Sequence, residues 1–98
     1  MAGNMQRRPK LLYLVSEDWY FVSHRLSLAF AAKEAGFDVS VATRVADHGA
    51  EISDAGLNLI PITLARSGLN PLHEARTISE LNAVFARETP DLVHNVAL

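Results

Sequence analysis

The chain contains no cysteine among its 98 residues, which excludes a disulfide framework and a thiolate metal site. It also lacks an apolar run approaching the roughly 20 residues that a membrane-spanning helix needs. The first ten residues hold basic side chains but no apolar signal core, so we expect no export. Together these absences favour a cytoplasmic protein.

Basic charge is scarce outside the amino-terminal segment. Arg7, Arg8 and Lys10 account for three of the nine basic residues, so the rest of the chain has six basic against eleven acidic residues. That excess of acid disfavours a nucleic-acid surface, which would present a basic patch. We interpret residues 1–9 as a basic flexible leader. It suits peripheral contact with an anionic membrane, at about 1 kcal/mol per charge, although a solvated chain start is the simpler interpretation.

No glycine lies between Lys10 and Ala35, and this absence limits which cofactors the chain could hold. A dinucleotide fingerprint needs glycines after the first strand so that the backbone can approach a pyrophosphate. Glu17 and Asp18 would moreover repel phosphate at that position. We therefore expect no cofactor in this part of the chain. The four histidines show no metal-ligand spacing, so we expect no metal site either.

Hydrophobic patterns predict strands that alternate with helices. Residues 11–15 form a continuous apolar run, as in a strand buried on both faces, and a helix is predicted over 23–35. Residues 37–42 alternate apolar and polar side chains, which predicts a second, less deeply buried strand. A short helix is predicted over 47–55, and a third strand over 57–63 contains Pro61.

The last predicted helix begins at Asn70 and Pro71 and stops at Pro90, and a fourth strand follows over residues 91–96. Helical spacing predicts an inward stripe of apolar side chains on this helix: Leu72, Ala75, Ile78, Leu81 and Phe85.

These elements predict an α/β fold with a Rossmann-like parallel sheet in the order 3-2-1-4. Proline cannot donate to a strand ladder, so Pro61 belongs at an edge, whereas the order 2-1-3-4 would bury it. We expect residues 10–98 to be an incomplete domain that continues into another helix and strand. Such a fragment would expose Leu92, Val93, Val96 and Leu98 and self-associate through the fourth-strand side.

Ligands of open parallel sheets bind beyond the carboxyl ends of the strands, here between the first and fourth strands. The loop predicted over 16–25 and the end of the fourth strand supply the candidate acceptor-binding residues: Glu17, Asp18, Trp19, His24, Arg25, His94 and Asn95. Each also has a purely structural explanation. The carboxylates suit helix capping, the aromatic ring suits loop packing, and the histidines suit local carbonyl bonding or a place in the core.

Several short segments resemble the amino-terminal domain of glycosyltransferase family four. They are SEDWYF at 16–21, SHRL at 23–26 and LA at 28–29, followed by EAG at 34–36, VATR at 41–44, DHG at 47–49 and DLVH at 91–94. The loop-and-helix part of this pattern is the most specific, and the resemblance extends from Lys10 onward.

The resemblance implies a GT-B architecture with two Rossmann-like domains. The first domain receives a glycan or lipid-linked acceptor, and the second holds the nucleotide-sugar donor. It also implies retaining, metal-independent transfer in polysaccharide biosynthesis. Two departures matter: the first turn lacks the glycines that many members have, and Val96 stands where many members have a second histidine. We therefore assign no catalytic residue and expect the chain alone to be inactive.

Two alternatives remain open. A fragment of a sugar-nucleotide epimerase would share the architecture and would differ in the donor-binding motifs of the second domain. A non-catalytic ligand-binding or interaction domain would instead have its fourth strand covered by a partner or by a second copy.

Overall fold

The computed structural model describes residues 8–63 and 71–96, with the side chains of the second range given from residue 78 onward. Within these ranges the elements in chain order are β1 (Lys10–Glu17), α1 (Asp18–His24), α2 (Leu26–Glu34), β2 (Asp38–Arg44), α3 (Gly49–Asp54), β3 (Asn58–Pro61), α4 (Pro71–Glu88) and β4 (Leu92–Val96). Residues 1–7 of the predicted leader, and Asn70, lie outside the described residues.

The four strands form one parallel sheet in the order β3-β2-β1-β4, which confirms the predicted fold class and strand order. Tyr13 of β1 lies between Val41 of β2 and His94 of β4. Pro61 ends the edge strand β3, where its missing N–H interrupts no ladder between strands. The apolar run of β1 is central because strands pair with it on both sides.

The prediction that β2 is less deeply buried was wrong. All five residues between its two ends are buried. The reason is that helices cover both faces of the sheet here: Val41 packs on one side and Ala42 on the other. The buried hydroxyl of Ser40 is accommodated because the Asn58 side-chain amide donates to it at 3.1 Å.

The single helix predicted over 23–35 is in fact two helices, and residues 18–22, predicted as a loop, belong to the first of them. The break lies at Arg25, whose φ of −130° and ψ of −11° depart from helical values. Its N–H still donates to the carbonyl of Phe21 at 2.8 Å, so the chain turns without losing that bond. Phe21 is fully buried, and this packing explains why the aromatic segment is helical.

Two hydrophobic clusters lie on opposite faces of the sheet. The cluster beneath α1, α2 and α3 is the larger and contains Tyr13, Val15, Phe21, Ala29, Val39, Val41, Ile52, Leu57 and Val96. The cluster beneath α4 contains Leu12, Ala42, Ile60, Ile62 and Val84.

The stripe predicted for α4 is only partly correct. Leu81 and Phe85 pack on the sheet, but Ile78 is 59% exposed, and the buried position is Val84. Positions 81, 84 and 85 share one helical face by their spacing of three and four residues, and that face meets the sheet. The side chains of Leu72 and Ala75 lie outside the described part of the chain.

Within the described residues, β4 pairs with β1 on one side and with no strand on the other. Leu92 and Val93 are exposed, as predicted. Val96, which we also expected to be exposed, is buried because it packs in the cluster with Val15. Leu98 lies outside the described residues, and self-association through this side stays a prediction. Among the residues searched, no helix is long and apolar enough to cross a membrane.

Candidate functional site

The carboxyl ends of β1 and β2 are joined by an ion pair. Glu17, the last residue of β1, is buried and accepts a hydrogen bond from the Arg44 guanidinium at the end of β2. This hydrogen bond and the carboxylate charge raise the pKa of Arg44 above its ordinary value. The Arg44 side chain is about half exposed, so solvent screens the pair on one side.

Asp18 fastens the loop after β2 to the start of α1. Its side chain is fully buried, and its Oδ2 accepts the backbone N–H groups of Ala46 at 2.7 Å and His48 at 2.9 Å. Burial alone would raise the pKa of Asp18. The hydrogen bonds from the backbone N–H groups of Ala46, His48 and Trp19 outweigh burial and hold the pKa below its ordinary value. Asp18 is therefore ionised at neutral pH.

His48 continues this arrangement into α3. Its Nδ1 contacts Glu51 one turn further on, and this hydrogen bond raises the pKa of His48. We use the name β1–β2 clasp for the connected groups of Glu17, Asp18, Arg44, Ala46 and His48. The clasp holds the loop that leads from β2 into α3.

An aromatic stack occupies the outer side of α1. The Trp19 ring meets the Tyr20 ring edge-on at 5.6 Å, and the Tyr20 ring stacks on the His24 imidazole at 4.3 Å. His24 Nδ1 lies 3.2 Å from the carbonyl oxygen of Tyr20, the local bond that the structural explanation anticipated. Trp19 is 47% exposed, so an aromatic face remains open next to the end of β1.

A third group surrounds Tyr13 on the sheet face beneath α1 and α2. The His94 imidazole stacks on the Tyr13 ring at 4.9 Å, and the Phe21 ring meets it edge-on at 5.2 Å. Burial raises the pKa of Tyr13, and the positive charge of Arg25 opposes that rise. We name Tyr13, Arg25 and His94 the Tyr13 cluster.

Arg25 is incompletely paired in this cluster. Its NH1 donates to the carbonyl of His24 at 3.0 Å. Its Nε is buried and finds no acceptor within residues 8–63 and 71–96. One oxygen of Asp18, Oδ1, is likewise without a partner in those ranges. The Asp18 carboxylate nevertheless has two donors on its other oxygen.

The structure distributes the seven predicted site residues over distinct places. Glu17 and Asp18 lie in the clasp, Trp19 and His24 on α1, and Arg25 and His94 beside Tyr13. Asn95 pairs with Leu14 and lies on the opposite face of the sheet from His94, because adjacent strand residues alternate. A common acceptor site for all seven stays a prediction.

Two features of the site were missed by sequence reasoning. Tyr13 was treated as part of an apolar run, although a hydroxyl-bearing residue among leucines was a usable signal. The donation by the Ala46 and His48 amides to Asp18 gave no signal, because it depends on how a loop closes in three dimensions.

A metal centre finds no support in the described part of the chain. No group of three or more histidine, aspartate or glutamate side chains there is placed to hold a metal ion. The candidate site residues offer aromatic stacking, hydrogen bonding and a guanidinium charge.

Comparison with protein families gives a match over nearly the whole chain. The sequence profile of the family described as glycosyl transferase 4-like matches residues 10–98, which include β1 through β4 and the candidate site residues. A search of curated proteins finds no match.

Proposed function

Because the chain belongs to the glycosyl transferase 4-like family, we propose that it forms the acceptor-binding part of a retaining glycosyltransferase. Such an enzyme moves a sugar from a nucleotide-sugar donor to a glycan or lipid-linked acceptor. In this proposal the donor binds to a second domain, and the chain alone binds the acceptor without transferring sugar to it.

The observation that carries the proposal is the exposed ring of Trp19 at the carboxyl end of β1. Open parallel sheets bind their ligands beyond this edge. An aromatic face there offers a flat apolar surface with a polar tip, which suits the C–H face of a sugar ring. His24 is exposed on the same helix and can exchange its local carbonyl contact for a sugar hydroxyl.

Electrostatics at the same edge supports a site for an acceptor rather than for a nucleotide. The turn after β1 has no glycine, so its backbone is not suited to wrap a diphosphate. Glu17 and Asp18 place two carboxylates where those phosphates would lie. Arg44 and the backbone N–H groups of Ala46 and His48 offset part of this charge, but the carboxylates still fill the turn with groups that accept, and cannot donate, hydrogen bonds to a phosphate.

The lone tryptophan of the sequence makes a direct test possible, because its fluorescence reports on Trp19 alone. We would titrate the chain with the methyl glycosides of glucose, galactose, mannose and N-acetylglucosamine, and separately with UDP. We expect at least one glycoside to change the emission with a Kd of about 1 mM, the weak range for a small ligand. UDP should leave the emission unchanged.

Two variants of Trp19, one that keeps an aromatic ring and one that does not, test how much the ring contributes to glycoside binding. Trp19→Phe removes the fluorescence, so its binding is followed by amide NMR shifts, which should remain with at most a modest loss of affinity. Trp19→Ala should abolish glycoside binding. A response to UDP with no response to any glycoside would contradict the proposal.

Turnover is a second test. The chain, incubated with UDP-glucose and the same glycosides, should release UDP no faster than buffer does. Transfer above this background would contradict the assignment of the donor site to a second domain.

A further inference from the structure

Arg25 is a half-buried cation with no carboxylate partner among the described residues. Arg44 and Arg87, by contrast, each contact a glutamate, Glu17 and Glu88 respectively. The Arg25 guanidinium makes a single hydrogen bond in the described ranges, to the neutral carbonyl of His24. A buried guanidinium N–H without an acceptor lowers the stability of the fold, and a ligand, a water or an ion can supply the acceptor.

The surroundings of Arg25 supply further hydrogen-bond donors. Tyr13 carries a hydroxyl in the middle of the buried sheet face, and the His94 imidazole is stacked on its ring at 4.9 Å. Arg25 is linked to this group through Phe21: its backbone N–H donates to the Phe21 carbonyl at 2.8 Å, and the Phe21 ring meets the Tyr13 ring at 5.2 Å. A guanidinium, a phenol and an imidazole can all donate to oxygen.

The carboxylates of the β1–β2 clasp are bound to groups outside the Tyr13 cluster. Glu17 contacts Arg44, and Asp18 accepts the amides of Ala46 and His48, at the boundary between β1 and β2. His94 lies on the other side of β1, on the open β4 strand. The Tyr13 cluster is thus a group of donors with a net positive charge and an open neighbouring edge.

We propose that the Tyr13 cluster binds an oxyanion, a phosphate or carboxylate group of the acceptor, with the Arg25 guanidinium as its main ligand. The planar guanidinium donates to such oxygens through two parallel N–H groups, and these charge-assisted bonds are stronger than neutral ones. His94, half-buried on β4 and stacked on Tyr13, is the second donor to the anion. The inference rests on the proposed function, because it names the charged part of the acceptor that binds beside the sugar.

The test follows the Nε–Hε signal of Arg25 by NMR in the whole 98-residue chain. Sodium phosphate and sodium glucuronate are titrated separately at pH 7, with sodium chloride keeping the ionic strength constant. We expect the Arg25 signal to shift and saturate with a Kd of about 1 to 10 mM for at least one of the two anions. Saturation with phosphate points to a phosphorylated acceptor, and saturation with glucuronate points to an acidic sugar; either supports the site.

Variants separate a specific site from general charge attraction. Arg25→Gln should weaken binding at least about tenfold, and Arg25→Lys should weaken it less, because the charge remains while the planar fork is lost. Arg87→Gln removes an equal charge from the exposed face of α4 and should leave binding unchanged. Amide spectra of each variant establish that it is folded.

Two outcomes would overturn the inference. One is the absence of saturable binding for both anions. The other is anion binding by Arg25→Gln equal to that of the unaltered chain. If glycosides bind but neither anion does, only this inference fails; if an anion binds but no glycoside does, the sugar-binding proposal fails instead.

Discussion

The β1–β2 clasp and the Tyr13 cluster lie on the two sides of β1, and they differ in how their charged side chains are hydrogen-bonded. In the clasp, Glu17 meets the Arg44 guanidinium and Asp18 accepts two backbone amides. In the cluster, the buried Nε of Arg25 has no acceptor among the residues that the structure describes. Both carboxylates of the clasp accept hydrogen bonds from the chain, although Asp18 Oδ1 has no partner among the described residues, whereas the Arg25 guanidinium has only the neutral carbonyl of His24 there.

This difference indicates which polar residues hold the fold and which are available to a ligand. A buried charge that is fully paired is costly to remove, because its partners lose their hydrogen bonds. A buried charge that is unpaired already costs stability, and removing it costs little. Stability measurements on the two regions should therefore separate structural residues from binding residues.

The largest effect is expected at Asp18. Replacing Asp18 with alanine leaves the N–H groups of Ala46 and His48 without their acceptor and opens a small cavity. We expect the free energy of unfolding to fall by about 3 kcal/mol. Urea unfolding followed by circular dichroism measures this loss.

The matched control is Asp47→Ala, which removes an exposed carboxylate from the same loop. It should change the free energy of unfolding by no more than about 0.5 kcal/mol. Equal losses for the two variants would show that the clasp does not hold the loop.

Asp18 also predicts how stability responds to acid. Its folded pKa is lowered, so its contribution is present above its unfolded pKa and is lost as the pH falls through the folded value. Unfolding of the unaltered chain should therefore become easier as the pH falls below about 4. In Asp18→Asn this part of the acid sensitivity should be absent. An unchanged acid slope would show that the carboxylate is not the group responsible.

The second effect is expected at Glu17. Glu17→Gln keeps a side-chain oxygen but loses the charge that faces Arg44. We expect a loss of stability smaller than that of Asp18→Ala, because the half-exposed guanidinium regains water. Added salt screens the Glu17–Arg44 pair and should therefore reduce the stability advantage of the unaltered chain over Glu17→Gln. The unfolding midpoints of the two proteins should then converge at high salt. Midpoints that stay equally far apart would argue that packing, not charge, is lost.

The third variant, at Arg25, should lose almost no stability. Arg25→Met replaces the guanidinium, whose only hydrogen bond in the described residues is to the His24 carbonyl, with an apolar chain of similar length. We expect the free energy of unfolding to change by no more than about 0.5 kcal/mol, because an unsatisfied buried donor is removed. Urea unfolding measures the change. A loss comparable to that of Asp18→Ala would show that Arg25 stabilises the fold as Asp18 does, which would contradict the difference between the two regions.

The smallest effect is expected at His48. Its pKa is raised mainly by the Glu51 hydrogen bond, so its contribution is complete below its unfolded pKa and is lost as the pH rises through the folded value. His48→Gln should therefore flatten a shallow decline of stability above about pH 6.5. Thermal unfolding across pH 6 to 8 tests this, and an identical slope in both proteins would contradict it.

The sequence predicted the strand order because Pro61 and the unbroken apolar run of β1 are strong local signals. It did not predict that α1 is helical, since the burial of Phe21 against Tyr13 is a tertiary contact. It also treated β2 as half exposed, because its alternating pattern gives no sign that helices cover both faces.

The candidate site differs from the fold in this respect. Topology predicted a site at the carboxyl end of β1, which stays a prediction, and it gave no sign of how the side chains there pair. Glu17 and Asp18 are engaged within the clasp, and His24 is bonded to the carbonyl of Tyr20. Pairings of this kind depend on side-chain directions that residue spacing alone does not give.

The most direct test of the account is a map of ligand binding on the ¹H–¹⁵N spectrum of the whole chain, with the methyl glycosides and phosphate added together and UDP added separately. We expect the first mixture to shift the amides of Trp19, Arg25 and His94 and to leave those of Ala46 and His48 in place. UDP can reach Arg25 through its phosphates, but it should leave the amide of Trp19 in place. Shifts centred on Ala46 and His48, or a shift of Trp19 produced by UDP, would contradict this expectation.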